Sequence, residues 1–101
     1  MAFLRAARRD EIPVGTIREI RLEERTIALA NVNGRFYAID NVCLHRAGPL
    51  GKGKLAGSVV TCPWHGWTYE VSTGRVTFNP EMKVRTYPVE ERDDDIWVDV
   101  G

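Results

Sequence analysis

The sequence predicts an all-β fold, and three observations lead to this prediction. Short runs of alternating apolar and polar residues recur along the chain, which is the periodicity of half-buried strands. Glycine, proline, asparagine and aspartate separate these runs at short intervals, as in sheets connected by tight turns. We find no run with the apolar period of a long α-helix. We therefore expect small antiparallel sheets packed as a sandwich or barrel.

In the first part of the chain, the pattern of apolar and polar residues predicts four strands, at 3–7, 16–22, 26–32 and 35–40. Proline and glycine in 10–15 indicate a turn after the first strand. Asn33-Gly34 is the strongest two-residue signal for a hairpin, so the third and fourth strands are expected to pair. The fourth strand then brings the chain to Cys43.

The rest of the chain predicts short strands at 58–61, 68–71, 75–78, 82–90 and 96–100. The run GKGK at 51–54 suggests an exposed, mobile connection. We interpret Lys52 and Lys54 as solvated loop charges, with a role in docking a partner as the less favoured alternative. Residues 79–81 contain a proline and are expected to break the chain, and 91–95 are expected to form an acidic turn. Trp97, in the last strand, is expected to pack in the core.

Every cysteine and histidine of the chain lies in one window of 23 residues, arranged as two short pairs. Cys43 and His45 have one residue between them, and Cys62 and His65 have two. Sixteen residues separate the pairs, and glycine and proline lie close to both. Each of these residues alone has an ordinary structural explanation. Together they indicate a metal centre.

Thiolate and imidazole in equal numbers suit either zinc or a cluster of two irons and two sulfides. A zinc finger usually places two cysteines in one pair and two histidines in the other. Here each pair holds one of each, which favours two loops that meet at a dinuclear centre. A disulfide between Cys43 and Cys62 is a further alternative, but it would leave both histidines unexplained.

The segments CLHRAGPL and CPWHGW resemble the two cluster-binding boxes, C-x-H and C-x-x-H, of the Rieske iron–sulfur family. The resemblance implies a [2Fe-2S] cluster, with Cys43 and Cys62 on the inner iron and His45 and His65 on the outer iron. It also implies the Rieske fold, in which small antiparallel sheets form a base and two cluster-binding loops form one tip. We expect a single domain over 1–101, with the cluster-binding region at about 42–68.

The same resemblance bears on the reduction potential, which spans about −150 to +300 mV for Rieske centres. Relatives of high potential carry a disulfide between the loops, where this chain has Gly48 and Trp64. They also carry a serine that donates to a sulfide, where this chain has Trp67. Their tyrosine donor to a ligand sulfur has a counterpart in Tyr69. These differences suggest a potential in the lower part of the range.

Composition excludes several other classes of function. The 101 residues contain 14 Lys and Arg and 14 Asp and Glu, and no basic stripe suggests nucleic acid. No apolar run is long enough to span a membrane. No apolar stretch follows Arg8 and Arg9, so an export signal is not expected. We therefore expect a cytoplasmic protein, since thiolate ligands suit a reducing compartment.

The resemblance implies an electron carrier, and not an enzyme. Such a ferredoxin would pass single electrons from a flavin-dependent ferredoxin reductase to a terminal oxygenase of the aromatic-ring-hydroxylating type. We expect a monomer that docks transiently with these two partners. The Rieske-like small subunit of a larger reductase, such as an assimilatory nitrite reductase, is one alternative. A structural zinc module without redox activity is the other.

Overall fold

The structure, a computed structural model, describes residues 2–45 and 47–101. Within these residues the fold is all-β, as predicted, and every pair of neighbouring strands is antiparallel. Two short 3-10 helices interrupt the strands, at Arg9–Glu11 and Leu50–Lys52. The strands are β1 (Phe3–Arg8), β2 (Ile17–Leu22), β3 (Arg25–Val32), β4 (Arg35–Asp40), β5 (Lys54–Ala56), β6 (Val59–Thr61), β7 (Thr68–Glu70), β8 (Arg75–Val76), β9 (Asn79–Lys83), β10 (Thr86–Tyr87), β11 (Val89–Arg92) and β12 (Asp95–Asp99).

In the described part of the chain these strands form three sheets. The first has the order β1-β12-β11, the second β10-β4-β3-β2, and the third β5-β6-β7-β8-β9. The first two sheets pack together as the base of the molecule. The third contains the strands on either side of the second Cys/His pair, so it carries that loop.

The hairpin of β3 and β4 follows the Asn33-Gly34 turn, as the sequence predicted. Asn33 has φ 53° and Gly34 has φ +92°, which are the positive values that a two-residue hairpin turn needs. β3 is buried on both faces. Ile27 and Leu29 contribute to the core between the first two sheets, while Ala28 and Ala30 contribute to a second core beneath the Cys/His loops. The hairpin therefore joins the base to the tip.

The expectation of a loose connection at 51–54 is wrong, although Lys52 and Lys54 are exposed, as expected. Gly51 is buried within the 3-10 helix Leu50–Lys52, and Lys54 begins β5. A Cβ added at Gly51 would lie 2.6 Å from the backbone nitrogen of Glu19 and 2.8 Å from Oδ1 of Asn41. Glycine is needed here because two backbones pack closely, and not because the segment is a loose loop.

The expected break at 79–81 and the expected single strand at 82–90 are also wrong. Asn79–Lys83 form β9, the edge strand of the third sheet, where the missing N–H of a proline is tolerated. Pro88 then separates β10, which pairs with β4, from β11, which pairs with β12. The acidic turn is confined to 93–94, where Asp93 has φ 56°.

Trp97 was expected in the core, but it is only partly buried. Its neighbours Ile96 and Val98 are fully buried, so the alternation of β12 turns Trp97 to the opposite face of the sheet. There the guanidinium of Arg92 lies 4.8 Å from its ring centroid. Trp97 therefore packs beneath a cation on the outer face of the first sheet.

Within the described residues, no helix is long and apolar enough to cross a membrane.

A polar contact fixes the end of β4, three residues before Cys43. The buried Tyr87 hydroxyl donates a hydrogen bond to Asp40 and accepts one of 3.2 Å from Arg25. Burial and the neighbouring Asp40 together raise the pKa of Tyr87 above its ordinary value. The folded protein therefore favours the neutral hydroxyl, which Asp40 needs as its donor.

Replacing Tyr87 by phenylalanine should lower the free energy of unfolding by about 1–3 kcal/mol, because Asp40 and Arg25 lose a partner at a buried position. The contribution of the hydroxyl is fully present below the ordinary tyrosine pKa of about 10, and it is lost as pH rises through the raised folded value. Urea denaturation of wild type and Tyr87→Phe at neutral and alkaline pH measures both effects. Tyr37→Phe, at a half-buried position of β4, is the control. Equal midpoints for wild type and Tyr87→Phe at neutral pH would contradict the assigned role.

Candidate metal centre

Two loops with the same backbone hydrogen bonds present the Cys/His pairs. In the first loop the amide of Cys43 donates to the carbonyl of Gly48 (2.9 Å), and the amide of Ala47 donates to the carbonyl of Cys43 (2.9 Å). In the second loop the amide of Cys62 donates to the carbonyl of Trp67 (2.8 Å), and the amide of Gly66 donates to the carbonyl of Cys62 (3.2 Å). Each cysteine thus bonds to the residues four and five positions ahead of it.

The strands deliver both loops to the same tip. The first follows β4 and is closed at its base by a β-bridge between Val42 and Pro49. The second joins β6 to β7, which pair along their whole length. The two Cys/His pairs lie at the ends of strands in the second and third sheets. They can meet because the shared core beneath them holds these sheets together.

The structure brings all four predicted site residues together and divides them by depth. Cys43 and Cys62 are only 2% and 3% exposed, whereas His45 and His65 are exposed. The two imidazole rings lie edge to face with centroids 4.9 Å apart. Burial, followed by the neighbouring Cys43 thiol, raises the pKa of Cys62. Sulfur therefore lies inside and nitrogen lies at the surface.

Both cysteines are free thiols, so the disulfide alternative is not realised. Across residues 2–45 and 47–101, no three Cys, His, Asp or Glu side chains converge as ligands of one ion. The donors instead form a thiol pair and an imidazole pair. This set fits a centre of two irons in which one iron takes sulfur and the other takes nitrogen.

Tyr69 connects the two loops. It is fully buried on β7, behind the second loop, and its hydroxyl lies 3.2 Å from Sγ of Cys43 in the first loop. The backbone amide of Leu44 donates to the same hydroxyl (2.9 Å), which leaves the hydroxyl proton free to donate to sulfur. Burial, with Cys43 beside it, raises the pKa of Tyr69. A neutral donor therefore points at the sulfur of one predicted ligand.

Aromatic residues border the histidine pair. The ring of Trp67 stacks on His45, with centroids 4.8 Å apart and planes 11° apart. Phe78 packs edge to face on Trp67 at 5.0 Å and is itself 61% exposed. The sequence did not indicate that Phe78 belongs to the site. The one feature that could have done so is that Phe78 is an apolar residue at the end of a predicted strand. Trp64 is 55% exposed, so it covers the site less than Trp67 does.

Gly48 allows the two loops to approach each other. A Cβ at this position would lie 2.6 Å from Sγ of Cys62 and 3.3 Å from Cβ of Trp64. Real Cβ atoms essentially never approach other atoms as closely as 2.6 Å. The position therefore has no room for any side chain.

The chain is all-β and has two matching loops, with sulfur donors inside and imidazole donors outside. This combination is that of an iron–sulfur protein with mixed ligands. A family profile described as the Rieske [2Fe-2S] domain matches residues 2–88. The chain belongs to this family, and its cofactor is the Rieske [2Fe-2S] cluster. The predicted family, all-β Rieske fold and cofactor are thereby confirmed.

Several similar proteins are ferredoxins. The ferredoxin component of the naphthalene 1,2-dioxygenase/salicylate 5-hydroxylase systems of Ralstonia sp is 38% identical over 88 residues, covering 86% of this chain and 85% of that protein. The solved ferredoxin of Sphingomonas yanoikuyae B1 is 27% identical with a TM-score of 0.89, covering 99% of this chain and all of that one. A chain in the complex of reduced oxygenase and oxidized ferredoxin in carbazole 1,9a-dioxygenase has a TM-score of 0.86 at 28% identity, covering 95% of this chain and 91% of that one. The chain is thus an electron carrier and not a catalytic subunit, as predicted.

Replacing Gly48 by alanine should reduce the iron and sulfide bound per chain, because the new Cβ would displace Cys62 Sγ. Iron and sulfide analysis of the purified variant measures this loss. Gly15→Ala is the control, since its Cβ would meet nothing within 4 Å although its φ is +83°. That control should lose about 1 kcal/mol of stability while keeping its cluster. Full cluster content in Gly48→Ala would show that the close approach is unimportant.

Replacing Tyr69 by phenylalanine should lower the reduction potential, because a donor to Cys43 sulfur stabilises the added electron. A hydrogen bond of about 1 kcal/mol corresponds to roughly 40 mV for one electron. Redox titration of the variant beside Tyr37→Phe checks this expectation. An unchanged potential in a variant that retains its cluster would remove Tyr69 from this role.

Proposed function

We propose that this chain is the ferredoxin of an aromatic-ring-hydroxylating dioxygenase system. It takes one electron from a flavin-dependent reductase and delivers it to a terminal oxygenase. The observation that carries the proposal is the division of the site by depth: both cysteines are buried and both histidines are exposed at the tip. A carrier needs this arrangement, since its redox centre must come close to a partner while its sulfur side stays dry.

Cys43 and Cys62 are the proposed ligands of the inner iron, and His45 and His65 are those of the outer iron. When bound, the cluster accepts and returns a single electron. Neutral imidazoles in place of two thiolates remove two negative charges from the centre, which favours accepting that electron. The paired thiols and the paired rings match this division of ligands.

Residues of the chain define the environment of the centre. Tyr69 directs its hydroxyl at Cys43 and accepts from the amide of Leu44, which stabilises a sulfur that carries negative charge. Trp67 covers one face of His45 and fixes the orientation of that ring. His65 stays open to solvent. The exposed ring edges are therefore the shortest route for an electron to a docked protein.

The names of the relatives support the proposed partners. Several relatives are ferredoxin components of dioxygenase systems, and one matched structure is a complex of an oxygenase with a ferredoxin. We propose transient docking to both partners by a monomer in the cytoplasm, where a reducing environment keeps thiolate ligands intact. We also propose that residues 1–101 form a single domain.

A reduction potential in the lower part of the Rieske range belongs to the same proposal. Positions 48 and 64 are neighbours across the two loops, but they hold glycine and tryptophan and cannot form a disulfide. Tyr69 is in place as a donor to sulfur, while Trp67 offers no hydroxyl to a sulfide. A titrated potential near the upper limit of about +300 mV would contradict this inference.

The visible absorption and electron paramagnetic resonance spectra, recorded before and after dithionite, test the proposal. We expect a red-brown protein that bleaches on reduction and gives a rhombic signal of low average g. Reduction by NADH through a flavin-dependent ferredoxin reductase, followed by reoxidation with a terminal oxygenase, then tests the carrier function. A colourless protein that holds one zinc would overturn the proposal.

Replacing His45 or His65 by alanine should abolish the mixed-ligand spectrum, because the outer iron loses a ligand. The same spectra of each variant measure this effect. Val42→Ala is a matched control, since Val42 is 54% exposed beside the first loop and has no donor atom in its side chain. Retention of the full spectrum in either histidine variant would show that the ligand assignment is wrong.

A further inference from the structure

Charge is distributed unevenly along this neutral chain. Residues 41–69, which include both loops, contain three basic side chains and no aspartate or glutamate. The carboxylates that border this segment, Asp40 and Glu70, accept hydrogen bonds from the neutral hydroxyls of Tyr87 and Ser58, which do not cancel a carboxylate charge. Between these two residues the segment carries only positive side-chain charge, apart from the charge of the cluster itself.

Two lysines of this segment border a groove beside the second loop. The groove has a volume of about 460 Å³ and is lined by Lys52, Gly53, Lys54, Thr61, Cys62, Pro63 and Gly66. Lys54 is exposed and pairs with Thr61, the residue before Cys62. Lys52 is 68% exposed, and its only ion pair within the described residues is a long one of 3.8 Å to Glu19. Both ammonium groups are thus available beside a ligand loop.

The acidic turn lies on strands β11 and β12, away from the loops. These strands and their turn carry Glu90, Glu91, Asp93, Asp94 and Asp95, of which Glu90, Glu91 and Asp95 form ion pairs with Arg92, Arg9 and Arg5. Glu91 pairs with Arg9, and the guanidinium of Arg9 lies 5.4 Å from the ring of Phe36. Phe36 is near the start of β4, and the strand then runs about 15 Å towards Cys43 at about 3.3 Å per residue. Asp93 and Asp94 have no ion pair within the described residues, so this end keeps a small negative charge, and the molecule has a charge dipole with its positive end at the tip.

We propose that the tip docks on a carboxylate-rich surface of the protein that accepts its electron, and that the groove between Lys52 and Lys54 receives an acidic side chain of that protein. The inference rests on the proposed function and adds the chemistry of the partner. Exposed Leu44 and Trp64 of the two loops, with Phe78 beside Trp67, supply apolar contacts, and the lysines supply charge. Protein interfaces commonly have an apolar centre and a polar rim. The dipole orients the carrier before contact, because opposite charges guide the encounter.

The test is stopped-flow oxidation of the reduced holoprotein by two small oxidants of opposite charge. Ferricyanide is the anionic probe, and tris(phenanthroline)cobalt(III) is the cationic probe. The rate constant with ferricyanide should fall about threefold or more between about 0.02 and 0.3 M ionic strength, and that with the cobalt complex should rise. Poly-L-glutamate, as a carboxylate-rich polymer, should slow the reaction with ferricyanide, whereas poly-L-lysine should not.

Lys54→Glu and the double variant Lys52→Gln/Lys54→Gln should weaken these salt dependences and the effect of poly-L-glutamate severalfold. Arg35→Gln removes an exposed positive charge at the far end of β4 and should behave as wild type. Visible spectra confirm that each variant retains its cluster before the kinetics are compared.

A normal cluster spectrum with a ferricyanide rate that is flat or rises with salt would overturn the docking proposal alone. Lysine variants that match Arg35→Gln would also overturn it. A wild-type protein without the Rieske spectrum would overturn the proposed function and this inference together.

Discussion

The tip of the molecule depends on two pairs of backbone hydrogen bonds, one in each loop. Each cysteine amide bonds to the carbonyl five residues ahead, and each cysteine carbonyl accepts from the amide four residues ahead. The residue four positions ahead has a positive φ in both loops, with 56° at Ala47 and 76° at Gly66. Both polar groups of each buried cysteine backbone are therefore satisfied locally, which leaves the sulfur as the group that needs an external partner.

This shared loop also explains the difference in depth between sulfur and nitrogen. The cysteine stands at the base of each loop, where the chain leaves a strand, and the histidine stands near the apex in solvent. His45 is two residues after Cys43, whereas His65 is three residues after Cys62, so the two rings approach each other from different directions. They meet edge to face with centroids 4.9 Å apart. Unequal spacing in two equal loops thus lets two side chains converge without collision.

Local signals of the sequence predicted the fold class, the β3–β4 hairpin and the four Cys and His residues that the structure brings together. Asn33-Gly34 and the Cys/His spacing are local signals, since neighbours along the chain determine them. Two of the errors concern packing that the local pattern of the sequence does not show. Gly51 suggested a loose loop because its close neighbours, Glu19 and Asn41, lie far away in sequence. Phe78 reached the site because the turn after β8 packs it on Trp67, which precedes β7. The sequence pattern predicts the two strands but not this contact between the residues that flank them.

Two contacts hold the loops together where no covalent bridge exists between the free thiols. Tyr69, from the strand behind the second loop, bonds to both Cys43 and Leu44 of the first. Gly48 of the first loop lies directly against Cys62 of the second. Both contacts involve the sulfur of a predicted ligand, so a metal bound to these sulfurs would reinforce the closed loops. Cluster binding and loop closure therefore stabilise each other, since metal affinity for the folded state contributes to folding.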